Sequence, residues 1–256
     1  MAAAASAQDV QAALVRELTR TLALNQGLAA NPILAGAVDR LRAWQAARLR
    51  NTYADLAEEP RYAQAITFFQ SDLYGGDFAR RDADLLRVVP TMAKLLPVGV
   101  IACVGQAVEL NALSHELDRA LLARLPRAYS GFTVADYCRA YRRAGDFSAR
   151  RRQVELIGTV GRALDRYVHK RMVRSSLALM RKPAHLAGLG ALQDFLERGF
   201  DAFRLMKGAD AFLAIVHERE TALHDRIVSG SLDAFPDPTI VLMRRPSTAG
   251  APAGPA

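Results

Sequence analysis

The run between Pro97 and Pro126 constrains the fold more than any other stretch. Proline starts a helix readily and cannot continue one without loss, so the two prolines frame a helix of about 25 residues. Its first half is apolar on two sides, with Ile101, Val104 and Val108 on one and Cys103, Ala107 and Leu110 on the other. A helix apolar on two sides cannot lie on a surface; it needs neighbours on both. The pattern predicts a central, buried helix with other helices packed around it. The second half keeps the single stripe Leu110, Leu113, Leu117 and Leu121.

The flanking chain repeats the same period. Val10, Leu14, Leu18 and Leu22 mark a helix from about Gln8 to Leu24, and Asn31-Pro32 opens a second with an N-cap and a proline in the first turn. That second helix carries Leu34, Val38, Leu41 and Trp44 inward towards Leu56. Thr133-Val-Ala-Asp136 reads as a capping box with Asp in place of Glu, opening a short helix with Tyr137 and Tyr141. Asp146 opens a long helix that reaches about Lys182, its inner face formed by Val154, Ile157, Gly161, Leu164, Val168 and Met172. Leu186 to Met206 and the stretch capped by Asp210 complete the set. No alternating apolar pattern of strand length interrupts these periods. Alanine, leucine and arginine dominate the composition, all strong helix formers. The expectation is an all-α chain: one bundle-like domain of about eight helices over residues 8–235, then a flexible Pro/Ala/Gly-rich tail over 236–256.

One corner concentrates aromatics, acids, arginines and a double glycine. Tyr62, Ile66, Phe69 and Leu73 lie at helical spacing, Gly75-Gly76 stops that helix, and Asp77 suits the N-cap of the next. Asp72, Tyr74, Arg81 and Asp82 form a candidate polar pocket here, against the plainer reading of an ion-paired corner. The motif Phe68-Phe69-x-x-Asp72-Leu73-Tyr74-Gly75, followed by Asp77-Phe78 and Arg81-Asp82, resembles the signature of an uncharacterised all-helical bacterial family. Glu109 to Leu113 and Leu192 to Phe200 are similar to the same family, so the resemblance spans roughly residues 60–230. It implies a helical fold and supplies neither an activity nor catalytic residues.

The charge is unevenly placed. Arg119 to Lys182 holds sixteen lysines and arginines against four acids, a net of +12 in a chain whose total is +8, so the remainder is net −4. Arg162, Arg166, Lys170 and Arg174 recur every four residues, with Arg151 and Arg152 just upstream. Such a ridge suits an anionic partner, either nucleic acid or an acidic protein face. The bland alternative is a solvated outer face or ion pairs between subunits of a homodimer. Only Tyr137, Tyr141 and Tyr167 accompany the ridge, too few for a base-stacking platform.

A metal reading rests on Glu220 with His224 and Asp165 with His169, each pair at i, i+4. His217 and His224 lie about 10 Å apart along a helix axis, too far to share one ion. The repeated Glu-x-x-His of helical di-iron proteins is absent. A helical non-haem-iron oxidase is therefore the runner-up, and the His217–His224 stripe is expected to face water. A third reading is a small apolar ligand held among Phe69, Met92, Phe195 and Phe203. There is no Gly-x-Ser-x-Gly and no phosphate-binding loop, and Gly188-x-Gly190 lacks a third glycine. No cofactor is assigned. Two cysteines far apart, no apolar run long enough to span a bilayer and no signal-like start point to a reduced, cytoplasmic protein. The alanine and arginine usage points to a GC-rich bacterium. The leading expectation is a non-enzymatic binding or scaffold protein with a basic helix.

Overall fold

A computed structural model describes residues 6–72, 78–126 and 131–239, the side chains of residues 71, 72, 78–81, 91–93 and 95 aside. The described chain is all-helical, with eleven helices rather than about eight. They are α1 (Ala7–Ala29), α2 (Pro32–Thr52), α3 (Ala54–Glu58), α4 (Pro60–Asp72), α5 (Phe78–Leu95), α6 (Val98–Leu122), α7 (Val134–Ala144), α8 (Phe147–Val168), α9 (Arg171–Leu186), α10 (Gly190–Leu205) and α11 (Asp210–Val228).

Some ends follow capping chemistry, whereas Asp146 makes no side-chain cap hydrogen bond at α8 and Asp210 is the first residue of α11, after Ala209 at the N-cap. Asn31 Oδ1 accepts from Leu34 N at 3.0 Å, and Pro32 takes the first turn of α2. Thr133 Oγ1 accepts from Asp136 N at 3.2 Å while Asp136 Oδ2 accepts from Thr133 N at 3.2 Å. The capping box expected there is present, and so is one at Ser6 and Asp9.

α6 is the central helix. Its first half packs Ile101 and Val108 against Leu14 and Leu18 of α1 and Val89 of α5. Its second half packs Leu121 and Leu122 against Val38 and Leu41 of α2, Tyr137 and Tyr141 of α7, and Leu223 and Ile227 of α11. A third cluster joins Tyr62 and Ile66 of α4, Val168 at the end of α8, Ala202 and Phe203 of α10, and Phe212 of α11. Cys103 is buried as expected, but Ala107 is exposed.

Several expectations needed correction. The second helix stops at Thr52, and the five-residue α3 turns the chain into α4. Pro183 lies inside α9 rather than beyond the helix. The helix expected from Asp146 to Lys182 breaks at His169-Lys170, where Lys170 is extended. Val168 is buried in the α4–α10–α11 cluster, and beyond the break α9 packs on α10. Met172, expected on the inner face, is instead 56% exposed. The apolar period runs through the break because both halves are amphipathic, and only the packing reveals the turn.

Candidate functional site

Five helices direct polar side chains into the interior. On α2, Arg42, Gln45 and Arg48 come at intervals of three; on α6, His115 and Asp118 do the same. α7 adds Tyr137 and Tyr141, α8 adds Arg150, and α11 adds Glu220 and His224, each pair on one helical face. Gln45 Nε2 donates to Asp118 Oδ1 at 3.0 Å. Arg42 Nη2 lies 2.6 Å from His115 Nε2. A guanidinium can only donate, so Nε2 accepts and the imidazole is neutral with its proton on Nδ1. Burial, then the charge of Arg42, pushes His115 down to about 4, in accord with that neutral state.

Arg48 grips Glu220 with both terminal nitrogens, at 2.5 and 3.0 Å, and Tyr53 Oη donates to Glu220 Oε1 at 2.8 Å. Arg48 and Glu220 keep only 13% and 14% of their side-chain exposure. Arg150 donates to the Leu117 carbonyl at 3.1 Å and stands 4.9 Å from the centre of the Tyr141 ring. Tyr141 Oη is 2.7 Å from His224 Nδ1. Burial raises the Tyr141 phenol, so it keeps its proton, while burial lowers His224. With the phenol donating to Nδ1, the His224 proton sits on Nε2, which is buried without a hydrogen-bond partner among the described residues. Burial also raises Asp118 against the opposing charges of Arg150 and Arg42. The cysteines are no better nucleophiles: burial pushes Cys103 up to about 11 and raises Cys138. The cluster thus offers neither thiolate nor phenolate near neutral pH. Its donors and acceptors are chiefly spent on one another, tying α2, α6, α7, α8 and α11 together.

This placement bears on the metal pairs. His224 is 4% exposed, so the expectation that its stripe faces water is corrected; only His217 faces out. The carboxylate of Glu220 is engaged by Arg48 and Tyr53, and His169 sits at the surface 3.7 Å from Asp165. Among the described residues no group of three or more His, Cys, Asp or Glu side chains is arranged to hold a metal ion. The phenylalanines pack on each other: Phe68 on Phe195 at 5.3 Å, and Phe69 stacked on Phe212 at 5.9 Å. Met92 lies outside the described side chains.

At the corner, Asp72, Tyr74 and Arg81 lie outside the described side chains. Asp82 is buried, and its Oδ2 accepts from Asn25 at 3.3 Å and Asn111 at 3.2 Å. It ties α5 to α1 and α6.

The basic face divides in two. Arg151 pairs with Asp225 at 3.6 Å, and Arg152 with Glu109 at 3.0 Å. Arg162, Arg166, Lys170 and Arg174 are exposed, and among the described residues none has an acidic group within ion-pair distance. Arg162 and Arg166 stand on α8, Lys170 in the turn and Arg174 on α9, so the ridge bends at the junction instead of running straight. Arg162 folds over Gly158, where a Cβ would meet its Nη1 at 3.1 Å. An open cleft of about 340 Å³ follows, lined by Arg152, Glu155, Gly158, Thr159, Arg162 and His217. The contribution of His217 could not be read from the sequence, because α11 meets α8 only in the tertiary fold.

The same chain matches, over residues 25–234, the model of a family described as a domain of unknown function, DUF8198. No curated protein and no solved structure matches it. Among the described residues, no helix is long and apolar enough to cross a membrane.

Proposed function

The chain belongs to the DUF8198 family, and we propose that it is a binding or scaffold protein that engages an anionic partner through the basic face at the α8–α9 junction. The supporting observation is the unneutralised run Arg162, Arg166, Lys170 and Arg174. Arg152 and Arg181, also exposed, each have an acid within ion-pair distance. Five exposed cations in thirteen residues, Arg171 included, have no such partner among the described residues, which raises the local potential and attracts counter-charge. The cleft beside Arg162 adds Thr159 and His217 as further donors.

The test compares two triple variants of the full chain. One carries Arg162→Glu, Arg166→Glu and Arg174→Glu; the other carries Arg16→Glu, Arg40→Glu and Arg50→Glu on α1 and α2. Each lowers the formal net charge from +8 to +2. Retention on an immobilised sulfated polysaccharide is measured as a function of salt. The first variant is expected to lose retention at low salt while the second elutes near the wild type. Equal behaviour of the two would mean that net charge alone drives retention, and would refute the reading.

A further inference from the structure

α9 has two faces. Val173 and Ala184 are buried on the inner side, and Gln193 Nε2 of α10 donates to the Leu177 carbonyl at 2.7 Å, holding the helix in place. The outer side carries Met172, Leu179 and Leu186, exposed by 56%, 78% and 90%. Their spacing is seven residues. Seven steps along a helix close two turns to within about 20°, so the three side chains form one line about 21 Å long. Four of the nine large apolar side chains exposed among the described residues sit on this sixteen-residue helix, Met180 being the fourth.

The charge on the same helix is one-sided. It carries Arg171, Arg174, Arg181 and Lys182 and no acid. Arg181 is bound to Glu197 of α10, with Arg181 Nη2 at 2.8 Å from the carboxylate. Arg171 and Lys182 stand about 60–80° round the helix from the apolar line and Arg174 lies nearly opposite it, none with an acidic partner among the described residues.

We propose that this line is a docking seam for an acidic amphipathic helix of a partner protein. The inference rests on the basic-face reading above and names the chemistry of the partner. An apolar line at seven-residue spacing accepts a second helix as a coiled-coil seam does, and flanking charges choose the partner. A second copy of this chain would set Arg171 and Lys182 against the same two cations, which disfavours it. Residues 240–256 of the chain itself contain Arg244 and Arg245 and no acid, so they lack the complementary charge. Single-stranded nucleic acid gains most from aromatic stacking, and α9 has no aromatic residue.

The experiment uses the full chain and a labelled synthetic 21-residue helix with Leu at the two seam positions of each heptad and Glu flanking them. A control peptide keeps the Glu and replaces each Leu with Ser. Binding is read by fluorescence anisotropy, with helix content and melting of each variant checked by circular dichroism. The protein is expected to bind the Leu/Glu peptide at least tenfold more tightly than the Ser control. The pair Leu179→Ser, Leu186→Ser should lose that preference while folding unchanged, since both side chains are exposed. The triple variant Arg171→Glu, Arg174→Glu, Lys182→Glu, which covers the flank of the line and the basic face, should weaken both peptides. If the leucine variant keeps its preference while the charge variant loses binding, the seam is refuted and the basic face stands. If the charge variant binds like the wild type, the basic-face reading fails with it. A dimer seen by sedimentation and dissolved by the leucine variant would assign the line to a second copy. Leucine-dependent binding of phosphatidylserine vesicles or single-stranded RNA in preference to the peptide would likewise overturn the proposal.

Discussion

Replacing Glu220 with Leu removes the carboxylate that Arg48 and Tyr53 share. Arg48 then keeps its charge in a place where only 13% of the side chain is exposed, and Tyr53 loses its acceptor. Breaking a buried ion pair from one side costs about 3–5 kcal/mol, because the remaining charge stays desolvated. The residual exposure of Arg48 admits some water, which places the expected loss at the lower end, about 3 kcal/mol. For a chain of this size that corresponds to a fall in melting temperature of about 6–12 °C. Trp44, the sole tryptophan, reports the transition, since it packs on Phe132, Tyr137 and Phe235 beside the network. Urea unfolding followed by its fluorescence supplies the free energy. The companion variant Arg48→Met, Glu220→Leu removes both charges and is expected to be more stable than the sum of the two single losses allows. A loss under 1 kcal/mol for Glu220→Leu, or strict additivity in the double variant, would refute the claim that the pair acts as a desolvated unit.

Two other perturbations follow from the same interior. His115 is held neutral at about 4, against 6.5 for a free histidine, by burial and then by Arg42. Between those pH values the unfolded chain takes up a proton that the folded chain refuses, so stability is full above about 6.5 and falls as pH drops towards 4, by about 3 kcal/mol at most. Urea midpoints at pH 7 and pH 4 for the wild type and His115→Gln check this, and equal losses in both would refute it. At Gly199 of α10 a Cβ would stand 2.8 Å from Phe68 Cζ, in a ring already confined by Phe69 and Phe195. Gly199→Ala is expected to cost about 1–3 kcal/mol by overpacking, with Phe68→Leu restoring part of it; an unchanged urea midpoint in the single variant would show that the ring yields freely.

Much of the helical frame was legible in the residues because its signals are local. The two-sided apolar pattern from Ile101 to Val108 announced the central helix, and Asn31-Pro32 and Thr133 to Asp136 announced two helix starts, since caps and periods depend on neighbours within a few positions. The candidate basic residues were legible too, as a spacing of four. The break at His169-Lys170 was not, because nothing in that dipeptide stops a helix; it shows only in the fold, where α9 packs on α10.

The sequence by itself determined the all-α class, the central place of α6 and the concentration of positive charge between Arg119 and Lys182. Those follow from periodicity and counting. Only the tertiary structure decided what the polar side chains do. Glu220 and His224 share a helical stripe that fits a metal pair on paper, yet Glu220 turns to Arg48 and Tyr53 from α2 and its end, and His224 to Tyr141 from α7. A charged side chain is settled by whichever partner compensates its desolvation, and here that partner lies more than eighty residues away. The same holds for Met172, which reads as core until the turn onto α10 leaves it facing outward.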